Sequence, residues 1–449
     1  TGSILNGIKT KVPAKKIVYD RACDLTEKMI VVSAIGDCSI DGKAGLRASY
    51  WNNRDFSGDP ITTEQISSPI QLTTDGQHQF AQGVPLINFS GKYETTFKPA
   101  ESGEIVFKFE ARGRFELIVN GDTLYKPRRF GFGGRGNRVA LQVEKGKEYK
   151  IVGRFAQIGN WPASLNLNFG KEVPVKFDEL ISKLKGIDVV IFAGGISSRL
   201  EGEQMPIEIP GFKGGDRTDI ELPDIQRDCL KALKQAGKKV IFVNCSGSAM
   251  GLVPETESCD AILQSWYGGE SGGQAVADVL FGDYNPSGKL PITFYKSIKQ
   301  LGDFEDYSMK GRTYRYMNDA LFPFGYGLSY TSFSVGEAKF SKTEIKANET
   351  IDLTIPLSNT GKRNGAEVVQ VYVHKVNDTA GPIKTLKGFQ RVDVTAGKTG
   401  QVIISLPYSS FEFFDKASGK MLVSPGQYEV FYGTSSDVKD LKMAKVTIQ

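Results

Sequence analysis

The chain is poor in most of the residues that announce a specialised chemistry. Among 449 residues there are five cysteines, two histidines and three tryptophans. Cys23, Cys38, Cys229, Cys245 and Cys259 show none of the paired spacings that hold a metal, and two isolated histidines do not make up the deficit. Metal catalysis therefore has little support, and no cofactor is expected. No run approaches the roughly 18 apolar residues a membrane helix needs, so no membrane span is expected. Net charge is also small: 56 Lys plus Arg against 51 Asp plus Glu leave +5. Without clustered basic stretches, nucleic acid is not an expected partner. Cys23 and Cys38 could pair in an exported protein, although buried free thiols are the commoner state.

Glycine is plentiful, at 50 residues, alongside 27 Phe and 17 Tyr. Average usage of glycine is roughly 7%, so the excess points to short strands and tight turns, and much of the chain reads as β. The length accommodates two to four domains, each able to bury its own core. The chain begins Thr1-Gly2-Ser3 with no visible signal peptide. Residues 1–16 read as the second half of a helix and a connection, and Lys16-Ile17-Val18-Tyr19 as a strand. The start reads as mid-domain, so the natural protein is expected to extend further toward its N-terminus.

From Lys43 to Gly170 the apolar residues alternate with period two, as in Glu104–Glu110 and Tyr149–Phe155, with no helical period. Asn120-Gly121 is a hairpin signal inside this stretch. The texture then changes. Val189–Ala193, Lys239–Asn244 and Ala261–Trp266 read as buried parallel strands, and Phe177–Lys185, Asp224–Gly237 and Gln274–Phe281 as helices. Strands alternating with helices imply βαβ units. Short alternating strands return after residue 333 and point to a terminal β-sandwich. The expected fold class is multidomain, α/β plus all-β. An α/β sandwich with a mostly parallel sheet spans 1–42 and 173–332, an inserted β module 43–172, and a C-terminal β-sandwich 333–449.

The best functional candidate is the stretch Asp188–Pro223. It follows the apolar strand Val189–Ala193, and ligands of open α/β sheets bind just beyond such strand ends. It carries Glu201, Glu203, Glu208, Asp216, Arg217 and Asp219. Leu200-Glu201-Gly202-Glu203 places two carboxylates at i and i+2, on one face of an extended segment. Asp216-Arg217 reads as a structural anchor for loop backbone. Trp266-Tyr267-Gly268-Gly269-Glu270 reads as packing and turn chemistry.

Four motifs in order carry a resemblance: Gly214–Pro223 (GGDRTDIELP), Trp266–Gly273 (WYGGESGG), Gly282–Pro291 (GDYNPSGKLP) and Phe322–Tyr330 (FPFGYGLSY). Together they resemble the C-terminal portion of glycoside hydrolase family 3, the exo-acting β-glucosidases and β-xylosidases. The resemblance implies an α/β sandwich domain that follows a catalytic TIM-like barrel absent from this chain. It also implies a protective-antigen-like inserted module and a terminal fibronectin type III-like domain. The implied substrate is an oligosaccharide or an aryl or alkyl β-glycoside, the implied partner is the barrel of the same protein, and the usual setting is periplasmic or secreted. No pattern fixes glucose against xylose, nor an oligomeric state.

A retaining glycosidase needs two carboxyl groups about 5–5.5 Å apart, one as nucleophile and one as proton donor. The resemblance implies a barrel Asp as nucleophile and a Glu of this loop as donor. Ten residues, Gln204–Lys213, separate Glu203 from Gly214-Gly215-Asp216-Arg217, which departs from the family's usual spacing. Glu203 is favoured, Glu201 is the competitor, and two solvated loop charges are the plain alternative. Arg199 could orient a carboxylate or a sugar hydroxyl. Phe130 and Phe132, in a glycine-rich loop, could wall the sugar cleft. The rival to an enzyme is a non-catalytic carbohydrate-binding or adhesion protein built from the same modules.

Overall fold

A computed structural model of the chain describes residues 2–13, 16–127, 137–198, 200–202, 204–205, 207–415 and 417–449. Two separated pieces of chain build the α/β part. Its elements are α1 (Ile4–Lys11), α2 (Asp178–Lys183), β1 (Val189–Gly195), α3 (Asp224–Gln235), β2 (Lys239–Cys245), α4 (Val253–Ser258), β3 (Ala261–Gln264) and α5 (Gly272–Phe281). The sheet order is β1-β2-β3, all parallel, with Val189 opposite Lys239 and Ile241 opposite Ala261. Ile225, Cys229, Leu230 and Leu233 recur on one face of α3 and are buried, against a core that includes Phe192, Val240 and Phe242. Each such side chain contributes about 1.5–3 kcal/mol on full burial. α1 packs on α5 at a glycine contact: a Cβ on Gly7 would stand 2.1 Å from the Gly273 carbonyl oxygen. Lys11 tightens this pair, its Nζ 2.6 Å from Asp283.

Lys16–Tyr19, expected as a strand, pairs with no strand among the described residues; Val18 and Tyr19 stay 48% and 69% exposed. The segment runs along a groove beside β1 without forming the ladder that defines a strand.

The all-β unit is larger than its sequence texture. Met29–Ser33 pairs antiparallel with Gly170–Pro174, and Ile35 and Cys38 are buried in the β core. Residues 29–42, expected in the α/β part, thus belong by pairing and packing to the β unit. Its two sheets have five and eight strands and enclose Tyr50, Tyr93, Phe107, Phe155 and Phe169. Tyr50 and Trp51 are core residues, while Trp161 is 64% exposed.

From residue 333, a four-stranded and a five-stranded sheet enclose Leu353, Ile355, Val371, Val402 and Val430. The two later motifs form the seam with this sandwich. Lys289 Nζ pairs with Glu367 at 2.7 Å, Arg391 Nε donates to Ser287 Oγ at 3.1 Å, and Gln370 Nε2 donates to the Gly325 carbonyl at 3.1 Å. The described cysteines are all free. Cys23 and Cys38 lie in different cores, so the pairing entertained for them does not form.

Candidate active site

The parallel sheet brings three strand ends together. β1 stops where the α3 side chain Gln226 takes over its edge: Gln226 Oε1 accepts from Gly195 N at 2.7 Å, and Nε2 donates to Gly195 O at 2.7 Å. A tight turn follows, with Glu201 N donating to Ser197 O at 3.1 Å. Part of the stretch between the carboxylates and Asp216-Arg217 enters a small meander. Glu208–Ile209, Phe212–Lys213 and Asp216–Arg217 pair antiparallel in sequence, and Ile207 and Phe212 anchor the meander in the α/β core. The meander closes on the Glu201 turn at one point. Gly215, at φ +96°, lies so near Gly202 that a Cβ there would stand 1.6 Å from the Gly202 carbonyl oxygen. Only glycine fits that conformation at that distance.

Glu201 is held from three directions. Ser248 Oγ, in the turn after β2, donates to Oε1 at 2.9 Å. Tyr267 OH, in the turn after β3, donates to Oε2 at 3.4 Å. Arg217 Nε lies 3.8 Å from Oε1. Arg217 also donates from one terminal nitrogen to Ser248 Oγ and to Ala249 O, both at 3.0 Å, so it anchors the β2 turn as well. Its Nε and its second terminal nitrogen have no acceptor among the described residues. Burial pushes the Arg217 guanidinium down from its ordinary value, against the pull of Glu201. Burial and the Glu201 carboxylate push the Tyr267 phenol up. Trp266 adopts φ +55°, a costly conformation for a bulky residue, and its ring packs edge-on against Phe294 at 6.1 Å.

Of the five expected site residues, Glu201 is in this cluster. Glu203, Arg199, Phe130 and Phe132 lie outside the described residues. Sequence reasoning missed Ser248 and read Tyr267 as packing. The signal for both was position, since each stands within three residues of the end of a parallel strand, on the side where Glu201 stands.

The family model of the glycosyl hydrolase family 3 C-terminal domain matches residues 1–330, and that of the fibronectin type III-like domain matches residues 367–436. The chain belongs to glycoside hydrolase family 3. A xylan 1,4-beta-xylosidase of Xylanibacter ruminicola is 52% identical over 450 residues, covering 100% of this chain and 52% of the relative. A periplasmic beta-glucosidase of Salmonella typhimurium is 37% identical over 273 residues, 58% of this chain and 34% of the relative. The crystal structure of the Kluyveromyces marxianus beta-glucosidase in complex with glucose superposes with a TM-score of 0.64 at 26% identity, over 100% of this chain and 56% of that one. The chain thus spans about half the length, or less, of the relatives it matches. The family 3 assignment accounts for the parallel sheet, the terminal sandwich and the order of the four motifs.

Proposed function

We propose that this chain is the acid/base-bearing part of a retaining, exo-acting β-glycosidase of the β-xylosidase type. The observation that carries the reading is the 52% identity, over the whole chain, to a xylan 1,4-beta-xylosidase. In this reading a barrel of the same polypeptide supplies the Asp nucleophile, and the chain alone does not turn over substrate. The unit between residues 29 and 174 is the protective-antigen-like module. The setting is periplasmic or extracellular; the name of the Salmonella relative gives periplasmic for that protein.

Within the loop, Glu203 is the proton donor and Glu201 its anchor. A general acid needs an oxygen free to reach the leaving group. Both oxygens of Glu201 already accept from protein hydroxyls, and that engagement leaves Glu201 to fix the turn. Glu203 protonates the glycosidic oxygen as the nucleophile attacks, then takes a proton from the water that releases the sugar. Arg199, Phe130 and Phe132 are assigned to substrate contact.

The test is hydrolysis by the full-length polypeptide. Aryl β-xyloside should be cleaved with a higher kcat/KM than aryl β-glucoside, and the 449-residue chain should cleave neither. A preference for glucoside would shift the reading to a β-glucosidase. No hydrolysis by the full-length protein would favour a carbohydrate-binding role.

A further inference from the structure

The chemistry above leaves every thiol unused, and two of them meet. Cys229 is fully buried on α3, on the face that carries Ile225 and Leu233. Cys23, in the irregular segment after α1, is partly exposed and packs against the same core. The two side chains pack into one core and stand close enough to perturb each other's ionisation. The meeting does not rest on one rotamer, because the backbone around Cys23 is tied along α3. Gln226 Nε2 donates to Leu25 O at 2.8 Å, and Lys28 Nζ lies 2.7 Å from Asp224 and 3.9 Å from Asp228. The other thiols are engaged elsewhere. Cys38 donates to Ala34 O at 3.1 Å inside the β unit, Cys245 Sγ is 3.2 Å from Ser265 Oγ, and Cys259 bonds to Ser258.

We propose that Cys23 and Cys229 are a dithiol that a small external disulfide oxidises to an intramolecular disulfide. The bond fastens the segment preceding the β unit to the helix that follows the Glu201 loop. The Cys23 thiolate attacks one sulfur of the oxidant, and its partner sulfur leaves as a thiolate. Cys229 then attacks Cys23 Sγ and expels the second small thiolate, which takes up the Cys229 proton as it leaves. Two protein thiols and one disulfide become one protein disulfide and two small thiols. Exposure sets the order, since Cys229 has no surface on which to meet the oxidant.

The experiment treats the reduced full chain with oxidised glutathione, then alkylates it with iodoacetamide in denaturant. Three of the five cysteines should take up the alkyl group, Cys38, Cys245 and Cys259, and proteolysis should release a Cys23–Cys229 linked peptide. In Cys229→Ala, glutathione should remain trapped on Cys23. In Cys23→Ser, no linked peptide should form and Cys229 should carry no glutathione. Alkylation of all five cysteines, or a link from Cys23 to any other cysteine, would overturn the proposal. So would glutathione on Cys229 in Cys23→Ser.

Discussion

Two ion pairs of similar burial are built in opposite ways. Lys289 and Glu367 are 12% and 9% exposed, and their charged atoms meet at 2.7 Å. Both find further partners: Lys289 donates to Gly327 O at 3.0 Å, and Glu367 accepts from Val368 N at 2.7 Å. Arg217 and Glu201 are 13% and 21% exposed, but their nearest approach is 3.8 Å. Two nitrogens of Arg217 stay without acceptors among the described residues. Desolvated charges stabilise a fold only when geometry and hydrogen bonding are complete. The first pair is complete, and it joins the α/β part to the terminal sandwich. Among the described residues the second is incomplete, and it stands where three parallel strands end. Among the described residues, the fully satisfied pair joins two parts of the chain, and the under-satisfied pair lies in the candidate site.

Breaking the complete pair should have the largest effect. Lys289→Met leaves Glu367 buried without its cation and should lower unfolding stability by about 3–5 kcal/mol in urea denaturation, with part recovered when Glu367→Met is added. A loss below about 1 kcal/mol would erase the contrast. Gly215→Ala comes next, because its Cβ has no room beside Gly202 at φ +96°. A cost of about 1–3 kcal/mol is expected, confined to the loop and read as faster amide exchange around residues 200–217 with the sandwich unchanged. Arg217→Met should cost only about 1 kcal/mol of stability, since two of its nitrogens have no acceptor among the described residues. In the full-length enzyme it should still lower kcat/KM about tenfold or more, equivalent to about 1.4 kcal/mol of barrier.

The smallest effect belongs to Tyr267→Phe, under about 1 kcal/mol for a 3.4 Å hydrogen bond. It carries a pH signature. Burial and Glu201 raise the folded-state phenol, so the unfolded chain loses its proton first. Stability therefore falls as pH rises past the unfolded value of about 10. Tyr267→Phe should blunt that alkaline loss, measured as melting temperature against pH.

The sheet strands could be read in the chain from apolar runs of strand length such as Val189–Ala193, although that run is not buried on both faces as expected: Phe192 is buried while Val189 and Ala193 stand exposed. α3 could be read because its apolar residues keep helical spacing. Lys16–Tyr19 shows the limit of that reasoning. Its side chains suit a strand, but a strand also needs a partner edge, and that is a tertiary fact. The boundary at Lys43 failed in the same way, since Met29–Ser33 is recruited by a strand more than a hundred residues later. In the site, the carboxylate loop was found from charge and position. Ser248 and Tyr267 were not, because their role exists only once the ends of β2 and β3 converge on Glu201. Within the stretch Gln204–Lys213 that disturbed the family spacing, Glu208–Ile209 and Phe212–Lys213 have a physical account: they are the first two strands of the meander that brings Arg217 to Glu201.

The division of labour between the two loop carboxylates is tested most directly by azide rescue. Glu203→Gln and Glu201→Gln would be compared in the full-length enzyme on aryl β-xylosides with poor and good leaving groups. Glu203→Gln should lose most activity on the poor leaving group, keep much of it on the good one, and recover turnover with azide as a glycosyl azide product. Glu201→Gln should lose activity evenly across leaving groups with no recovery. Azide rescue of Glu201→Gln, with Glu203→Gln left active on the poor leaving group, would contradict the account.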